Sequence, residues 1–461
     1  MSATARIISP IDGSIYAERP FLSEAGIDAA VSAGRRAQAD WAGLSVAERG
    51  RYCRAALEAL AAMQDEIIPE IAWQMGRPTR YGGENGGMQE RGQYMIDIAQ
   101  EALKPYIPQE KEGFRRYVRH VPLGVVMVIA PWNYPYLTAV NTIIPALMAG
   151  NSVILKHATQ TLLTGERFAQ AFEKAGLPKG VFQNIVLDHA STEKLLASGQ
   201  IDHVNFTGSV NGGRAIEKAA AGTFMTLGLE LGGKDPAYVL PDANLDNTIA
   251  NLVDGAFFNS GQCCCGIERI YVHEAVFDRF VDGFVELTKQ YVVGNPLDQA
   301  TTLGPMAQAR FADLIREQKA EALRKGAKAH LNMRVDADRE GSPYIAPEVL
   351  SDVDHQMSVM REESFGPIVG IMKVRSDEDA LALMNDSIYG LTASLWSVDI
   401  DRVAALGDRI ETGTVFMNRC DYLDPALVWT GVKDTGKGGA LSALGYANLT
   451  RPKSFHLREQ I

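Results

Sequence analysis

The 461-residue chain has no apolar run long enough to cross a membrane. Its longest apolar stretches, such as Val125 to Ala130, reach strand length, far short of the roughly 18 residues a membrane helix needs. No apolar segment follows the first residues, so no secretory signal is expected. Cysteine is scarce and badly placed for disulfides. There are five, at 53, 263, 264, 265 and 420, and three are consecutive. A disulfide framework spaces its cysteines apart, so a reducing, cytoplasmic compartment is expected. The eight histidines show no HxxxH pairing, and no metal centre is expected. Basic residues are outnumbered, 45 against 56, for a net charge of −11. An acidic chain repels polyanions, so no nucleic-acid partner is expected. Internal repeats, low-complexity tracts and Gly/Ser-rich linkers are also missing.

What remains is a globular composition, 46% hydrophobic and 22% charged, on a length that suits about three folding units or two large ones. Apolar positions at three-and-four spacing predict helices over 25–39, 46–62, 64–75 and 88–103. Residues 114–121 read as a solvated strand. Residues 124–130 read as a strand buried on both faces and ending at Pro131. A helix over 141–149 starts at an Asn cap, and 152–156 is a second buried strand. A helix over 158–174 and strands at 182–186 and 203–206 follow. The alternation predicts a doubly wound, mostly parallel sheet. A second α/β series begins near Gly232, with strands at 237–240, 269–272 and 369–374 and helices at 246–259, 275–291 and 377–385. The two series imply two lobes with a cleft between them, a common place for a ligand.

Four segments carry candidate chemistry. Gly261-Gln-Cys-Cys-Cys-Gly266 follows a helix and is flanked by glycines, a setting for an exposed thiol nucleophile. The alternative is three small packing residues. In Leu229-Glu-Leu-Gly-Gly-Lys234, Glu230 sits among leucines, where desolvation raises a carboxylate towards general-base range. Alternation of Leu227, Leu229 and Leu231 with Gly228 and Glu230 equally admits an outward-facing glutamate. Phe206-Thr-Gly-Ser-Val-Asn-Gly-Gly-Arg214 leads from a strand through a Gly-rich turn to a helix at 214–221. It suits a phosphate cradle as well as a structural turn. Lys156 closes a buried strand at the ligand-binding edge of such a sheet, or is simply solvated. Pro131-Trp-Asn-Tyr-Pro135 is stiffened by two prolines, so Asn133 is either an oriented amide donor or a turn residue.

Together these segments resemble the aldehyde dehydrogenase superfamily along essentially the whole chain. PWNYP at 131–135 is similar to the family's PWNFP loop, and FTGSVNGG at 206–213 to its cofactor turn. LELGGK at 229–234 is similar to its glutamate segment, and FFNSGQCCC at 257–265 to its FxNxGQxC nucleophile motif. ESFGP at 363–367, DSIYGL at 386–391 and GTVFMN at 413–418 resemble later blocks. The resemblance implies an α/β fold with a Rossmann-type cofactor domain (1–102 and 122–232), an α/β catalytic domain (233–423) and a small β oligomerisation element (103–121 and 441–461). It implies Cys264 as nucleophile, Glu230 as general base and Asn133 as oxyanion donor. Lys156, Trp132, Gly208, Ser209, Gly213, Glu363 and Phe365 would hold NAD, and Thr159, where NAD-preferring relatives often carry Glu, also admits NADP. A homodimer or dimer of dimers follows by the same resemblance.

The expected activity is oxidation of an aldehyde to a carboxylic acid through a thiohemiacetal and a thioester. The alternatives are a semialdehyde dehydrogenase acting on a carboxylate-bearing aldehyde, a thiol esterase on the same cysteine, and a catalytically silent binder. Tyr134, Tyr136, Asn141, Tyr422 and Trp429 are the candidate substrate contacts. The family's PFGG is Val428-Trp-Thr-Gly431 here. The 141–142 segment lacks the Arg that succinate-semialdehyde enzymes often carry, so an apolar or aromatic aldehyde, or one with a small polar tail, is expected.

Overall fold

A computed structural model describes residues 4–331 and 333–459. The ends of the expected cofactor domain and oligomerisation element, residues 1–3 and 460–461, lie outside the described residues.

Two sheets organise the chain. The first has six strands in the order Gly436–Lys437, Thr226–Glu230, His203–Thr207, Val125–Ala130, Ser152–His157 and Phe182–Asn184. All its pairs are parallel except Gly436–Lys437, which runs antiparallel to Thr226–Glu230. Strands Val125–Ala130 and Ser152–His157 are buried at every position because helices cover both faces, and this is why they read as largely apolar runs. Helix Glu24–Gly43 packs on this sheet, and helices Val46–Ala61, Asn85–Ala102 and Pro135–Met148 bury one continuous core with it. The local chemistry supports these helices. Ser45 and Glu48 form a reciprocal capping box, which satisfies two otherwise orphaned N–H groups.

The second sheet has seven strands, in the order Lys328–Ala329, Glu348–Ser351, Ile368–Val374, Ile267–His273, Asp235–Val239, Thr392–Trp396 and Thr414–Met417. It is parallel apart from its first, two-residue strand. The mostly parallel sheet expected for the first half is therefore observed, and the second α/β series forms a parallel sheet of its own. Strand Phe114–Pro122 pairs antiparallel with Thr450–Arg458, from Thr450 opposite Pro122 to Arg458 opposite Phe114. The cross-strand rings of Tyr117 and Phe455 stack at 4.5 Å. Among the described residues, no helix is long and apolar enough to cross a membrane.

Several boundaries differ from the sequence expectation for physical reasons. The helix expected at 141 begins at Pro135, because proline's fixed φ and missing N–H suit the first helical position. Asn141 is thus mid-helix and not a cap. The helix expected at 214 begins at Val210, since the Ser209 side chain accepts the Gly212 N–H at 3.2 Å and caps it. The helix expected at 158 begins at Leu162, after a short turn at Thr159–Thr161. Helices His189–Ala197, Ala309–Arg324 and Ile400–Gly407 had no counterpart in the reading. In the second of these the buried stripe is Ala312, Ile315, Gln318 and Ala322, too weakly apolar to register.

Candidate active site

The cysteine triplet follows a strained turn. Helix Leu245–Phe257 ends, and Asn259, Ser260 and Gly261 all take positive φ, at 54°, 57° and 69°. A Cβ on Gly261 would stand 2.3 Å from the Gly366 carbonyl oxygen, so glycine is obligatory where this turn meets the 363–367 segment. Left-handed Asn and Ser each cost about 1–3 kcal/mol, and buried hydrogen bonds hold them. Ser260 Oγ donates to Gly304 O at 2.8 Å, and Arg77 Nε donates to Asn259 Oδ1 at 3.0 Å. Asn259 Nδ2 donates to the carbonyls of Asn133 and Gln262, at 3.2 Å each. The Ala307 N–H donates to Gln262 Oε1 at 2.8 Å. The conspicuous Asn and Gln of the motif are therefore scaffolding. They present Cys264, half-buried between the buried Cys263 and Cys265.

Cys264 lies in the wall between two cavities. One, of about 150 Å³, is bounded by Tyr134, Asn141, Phe258 and Trp429. The other, of about 210 Å³, is bounded by Trp132, Asn133, Gly208, Ser209, Glu363 and Phe365. Thr207, Glu230, Leu231 and Cys264 border both. Glu230 ends its strand opposite Thr207 and faces this junction, which removes the outward-facing alternative. Burial pushes its carboxyl up to about 7, against the lowering pull of Asn205, Arg91 and Thr207. The neighbouring thiols, Cys263 first and then Cys265, hold the Cys264 thiol well below its ordinary value, because polar thiol groups beside a thiolate stabilise its charge. Cys263 is pushed up to about 12 in the same exchange, first by Cys264. The Cys264 N–H makes no backbone hydrogen bond among the described residues. Asn133 is 4% exposed. Its side-chain amide donates to Gln262 O at 3.2 Å, and its backbone carbonyl accepts from Arg77 and Asn259, so the loop that carries the side chain is held by both.

The second cavity and the elements around it carry features suited to a nicotinamide nucleotide. A Cβ on Gly208 would meet the Phe206 ring at 2.6 Å, and one on Gly213 would meet Leu231 at 2.6 Å. The turn therefore packs to backbone thickness at the N-terminus of helix Val210–Ala220, where N–H groups and the helix dipole favour phosphate. Lys156 is 7% exposed at its strand end, and burial depresses its pKa. Among the described residues its ammonium has no hydrogen-bond or ion-pair partner, so a polar ligand group would relieve it. Trp132 stacks on Phe311 at 5.3 Å and meets Phe365 edge-on at 5.6 Å. Glu363 accepts the Gly233 N–H at 3.1 Å, and burial raises its carboxyl to about 8. Gly232 is fixed by this approach, since a Cβ there would stand 2.2 Å from Glu363 Oε1.

Other functional positions escaped the sequence reading. Glu268 accepts the N–H groups of Ser364 and Phe365 at 2.8 Å each and pairs with Lys234 at 2.6 Å. Lys234 also reaches Ser364 Oγ at 2.9 Å. This buried pair pins Phe365, whose φ is 50°. Arg91, on helix Asn85–Ala102, reaches the first cavity, as do Asp421 and Leu423. Arg91 sits with Met88 and Met95 on the buried stripe of its helix, and a charge within that stripe was the available signal.

Two expected substrate contacts are corrected. Tyr136 is 1% exposed and packs on Phe168 at 5.5 Å in the core, two residues round the helix from the cavity-facing Tyr134. Tyr422 lies outside the cavity wall. Its hydroxyl donates to Glu90 at 2.6 Å and its ring lies under Arg419 at 3.4 Å.

The aldehyde dehydrogenase family profile matches residues 1–455. The chain is 36% identical over 414 residues to an aldehyde dehydrogenase of Paenarthrobacter nicotinovorans, covering 89% of this chain and 90% of that one. It is 32% identical to an NADP-dependent succinate-semialdehyde dehydrogenase of Deinococcus radiodurans, covering 97% and 93%. The crystal structure of the succinic semialdehyde dehydrogenase of Streptococcus pyogenes with NADP⁺ superposes with a TM-score of 0.93 at 25% identity, covering 98% of this chain and all of that one.

Proposed function

The chain belongs to the aldehyde dehydrogenase family and is an NAD(P)-dependent aldehyde dehydrogenase, and we propose that Cys264, Glu230 and Asn133 carry its chemistry. The observation that supports this most is the position of Cys264 and Glu230 in the one wall shared by both cavities. The Cys264 thiolate attacks the aldehyde carbon from the nucleotide-facing side of the first cavity. The carbonyl oxygen, becoming an oxyanion, meets the Asn133 amide and the Cys264 N–H. A bound nicotinamide would supply the hydride acceptor needed to take the cysteine adduct to a thioester. Glu230 then takes a proton from water, the water oxygen attacks the thioester carbon, and the acid leaves as the Cys264 thiolate re-forms. Lys156 would hold the adenosine ribose, the Gly208–Gly213 turn the pyrophosphate, and Glu363, Phe365 and Trp132 the nicotinamide riboside. The thiol-esterase alternative is not favoured, because it leaves the nucleotide cradle without a purpose.

The substrate reading follows from the first cavity, which adds two under-partnered polar groups to its apolar wall. Arg91 is 9% exposed and makes one hydrogen bond among the described residues, Nη1 to Leu137 O at 3.3 Å. Asn141 is 2% exposed, and its Oδ1 has no partner there. A buried guanidinium with spare donors favours an aldehyde with an oxygen-bearing polar tail, the last of the classes expected from sequence. A charge-assisted hydrogen bond contributes about 1.5–3 kcal/mol. Arg91→Leu is therefore expected to lower kcat/KM for such aldehydes by roughly 10- to 100-fold and to spare alkyl aldehydes of equal length. Equal losses in steady-state assays of both series would discard this substrate reading.

Cofactor choice turns on Thr159, which offers a 2′-phosphate no opposing charge. Thr159→Glu is expected to cut kcat/KM with NADP by at least about tenfold, through like-charge repulsion of more than about 1 kcal/mol at contact distance, with little change for NAD. An unchanged NADP/NAD ratio would place the 2′-hydroxyl elsewhere. We assign residues 1–102 and 122–232 to nucleotide binding and 233–423 to catalysis. The largely exposed ribbon within 103–121 and 441–461 is an unprotected edge, suited to joining a second copy in a dimer or dimer of dimers. Five free cysteines suit a reducing, cytoplasmic setting.

A further inference from the structure

Three further donors, two thiols and a carboxyl, converge on the nucleophile, more than the oxidation uses. The Sγ atoms of Cys263, Cys264 and Cys265 lie within 4.8 Å of one another. Cys263 Sγ and Cys265 Sγ are 3.6 Å apart, and they stand 3.2 and 3.3 Å from Asp421 Oδ1. Among the described residues these thiols are the only side-chain hydrogen-bond donors to that carboxylate. S–H is a weak donor, so the carboxylate is poorly compensated. All four side chains border the same cavity. Zinc–sulfur bonds of about 2.3 Å and zinc–oxygen bonds of about 2.1 Å give tetrahedral edges of roughly 3.8 Å between sulfurs and 3.6 Å between sulfur and oxygen. The spacings of Cys263, Cys265 and Asp421 fall within about 0.4 Å of those edges. Cys264 needs to close by no more than about 1 Å to complete the tetrahedron.

The geometry points to a soft-cation site, of the zinc class, formed by Cys263, Cys264, Cys265 and Asp421, whose occupation masks the nucleophile and reversibly arrests turnover. The cation enters by the substrate route. Cys263 and Cys265 each give a thiol proton to solvent as their sulfur–metal bonds form, Cys264 binds as the thiolate it already is, and nothing is oxidised or reduced. A stronger chelator therefore restores the free thiols, which distinguishes this arrest from disulfide formation. The arrest rests on Cys264 being the nucleophile, but binding does not, so the two are measured separately.

The test titrates Co²⁺ into the reduced, full-length protein and reads the thiolate-to-cobalt charge-transfer band together with the visible bands of tetrahedral coordination. Zn²⁺ should then bleach both. Site formation predicts these bands in the native protein and after the control change Cys420→Ser. It predicts their loss in Cys263→Ser and Cys265→Ser, and affinity at least about tenfold weaker in Asp421→Asn. In parallel, Zn²⁺ inhibition is measured against each variant's own uninhibited rate and reversed with chelator. The half-inhibitory concentration should rise by the same factors. Absent bands in the native protein, or bands and inhibition indifferent to positions 263, 265 and 421, would overturn the proposal. Retained bands without inhibition would leave the cation site standing and count against Cys264 as nucleophile.

Discussion

Cys264→Ser is expected to lower kcat by roughly 10⁴-fold or more while nucleotide still binds. A serine hydroxyl ionises so far above a thiol that the flanking Cys263 and Cys265 cannot bring it near neutrality, and among the described residues no histidine borders either cavity to deprotonate it. Nor do the neighbours substitute. Cys263 is pushed up to about 12, first by its exchange with Cys264, and Cys265 is also pushed well up, first by Cys263. A thiol so strongly protonated is a poor nucleophile at neutral pH. The check is formation of reduced nicotinamide under saturating aldehyde, together with nucleotide binding followed by protein fluorescence. Activity within tenfold of the native protein would remove Cys264 from the chemistry, whatever the binding result.

Glu230→Gln is expected to separate the two halves of the reaction. The first half needs the thiolate and the oxyanion donors, so one equivalent of reduced nicotinamide should still form in a burst. Loss of a general base costs about 10²–10⁴-fold, so steady turnover should fall by that factor while the thioester accumulates. The pH dependence has a definite sign. Burial favours the neutral carboxyl and raises its titration to about 7. Below that pH Glu230 holds a proton and cannot take one from water, and above it the base is available. The native kcat should therefore rise through about pH 7, and in Glu230→Gln this step should vanish. A pH step that survives the substitution would assign it to another group.

The most legible parts of the site were those in which one short segment carries both the reactive group and its support. Cys264 sits in a contiguous Gly-rich turn. Asn133 lies between two prolines. Ser209 and its glycines lie at a strand-to-helix junction. In each case the local backbone already dictates presentation. Glu230 was half legible, because the alternation of Leu227, Leu229 and Leu231 gave the two faces of the strand but not which face is inward. Only the neighbouring strand, with Thr207 opposite Glu230, settles that. Arg91 and Asp421 reach the cavity from helix Asn85–Ala102 and from a loop far along the chain, and no local pattern links them to residue 264. Glu268 and Lys234 act on Phe365 through contacts spanning about a hundred residues or more. Tyr136 misled because aromatic type was read without helical phase. With the helix starting at Pro135, Tyr134 is left at its mouth and Tyr136 turns into the core.

The buried strands announced themselves as apolar runs because both faces are covered. The helix starts moved wherever a cap outranked the apolar pattern, as Ser209 and Pro135 did. Gly261, Gly208 and Gly232 looked like flexible punctuation in the sequence. In the structure each is fixed by a close approach, to a backbone carbonyl, a phenyl ring and a carboxylate respectively.

The central claim is that the aldehyde becomes an acyl group on Cys264, which Glu230 then releases. It is tested most directly by intact-protein mass spectrometry of Glu230→Gln, quenched in acid after mixing with aldehyde and NAD or NADP. The expected result is a mass increase equal to the acyl group of the product acid, mapped to Cys264 and equal in amount to the reduced-nicotinamide burst. A burst with no adduct, or an adduct that persists when Cys264 is also replaced by serine, would contradict it.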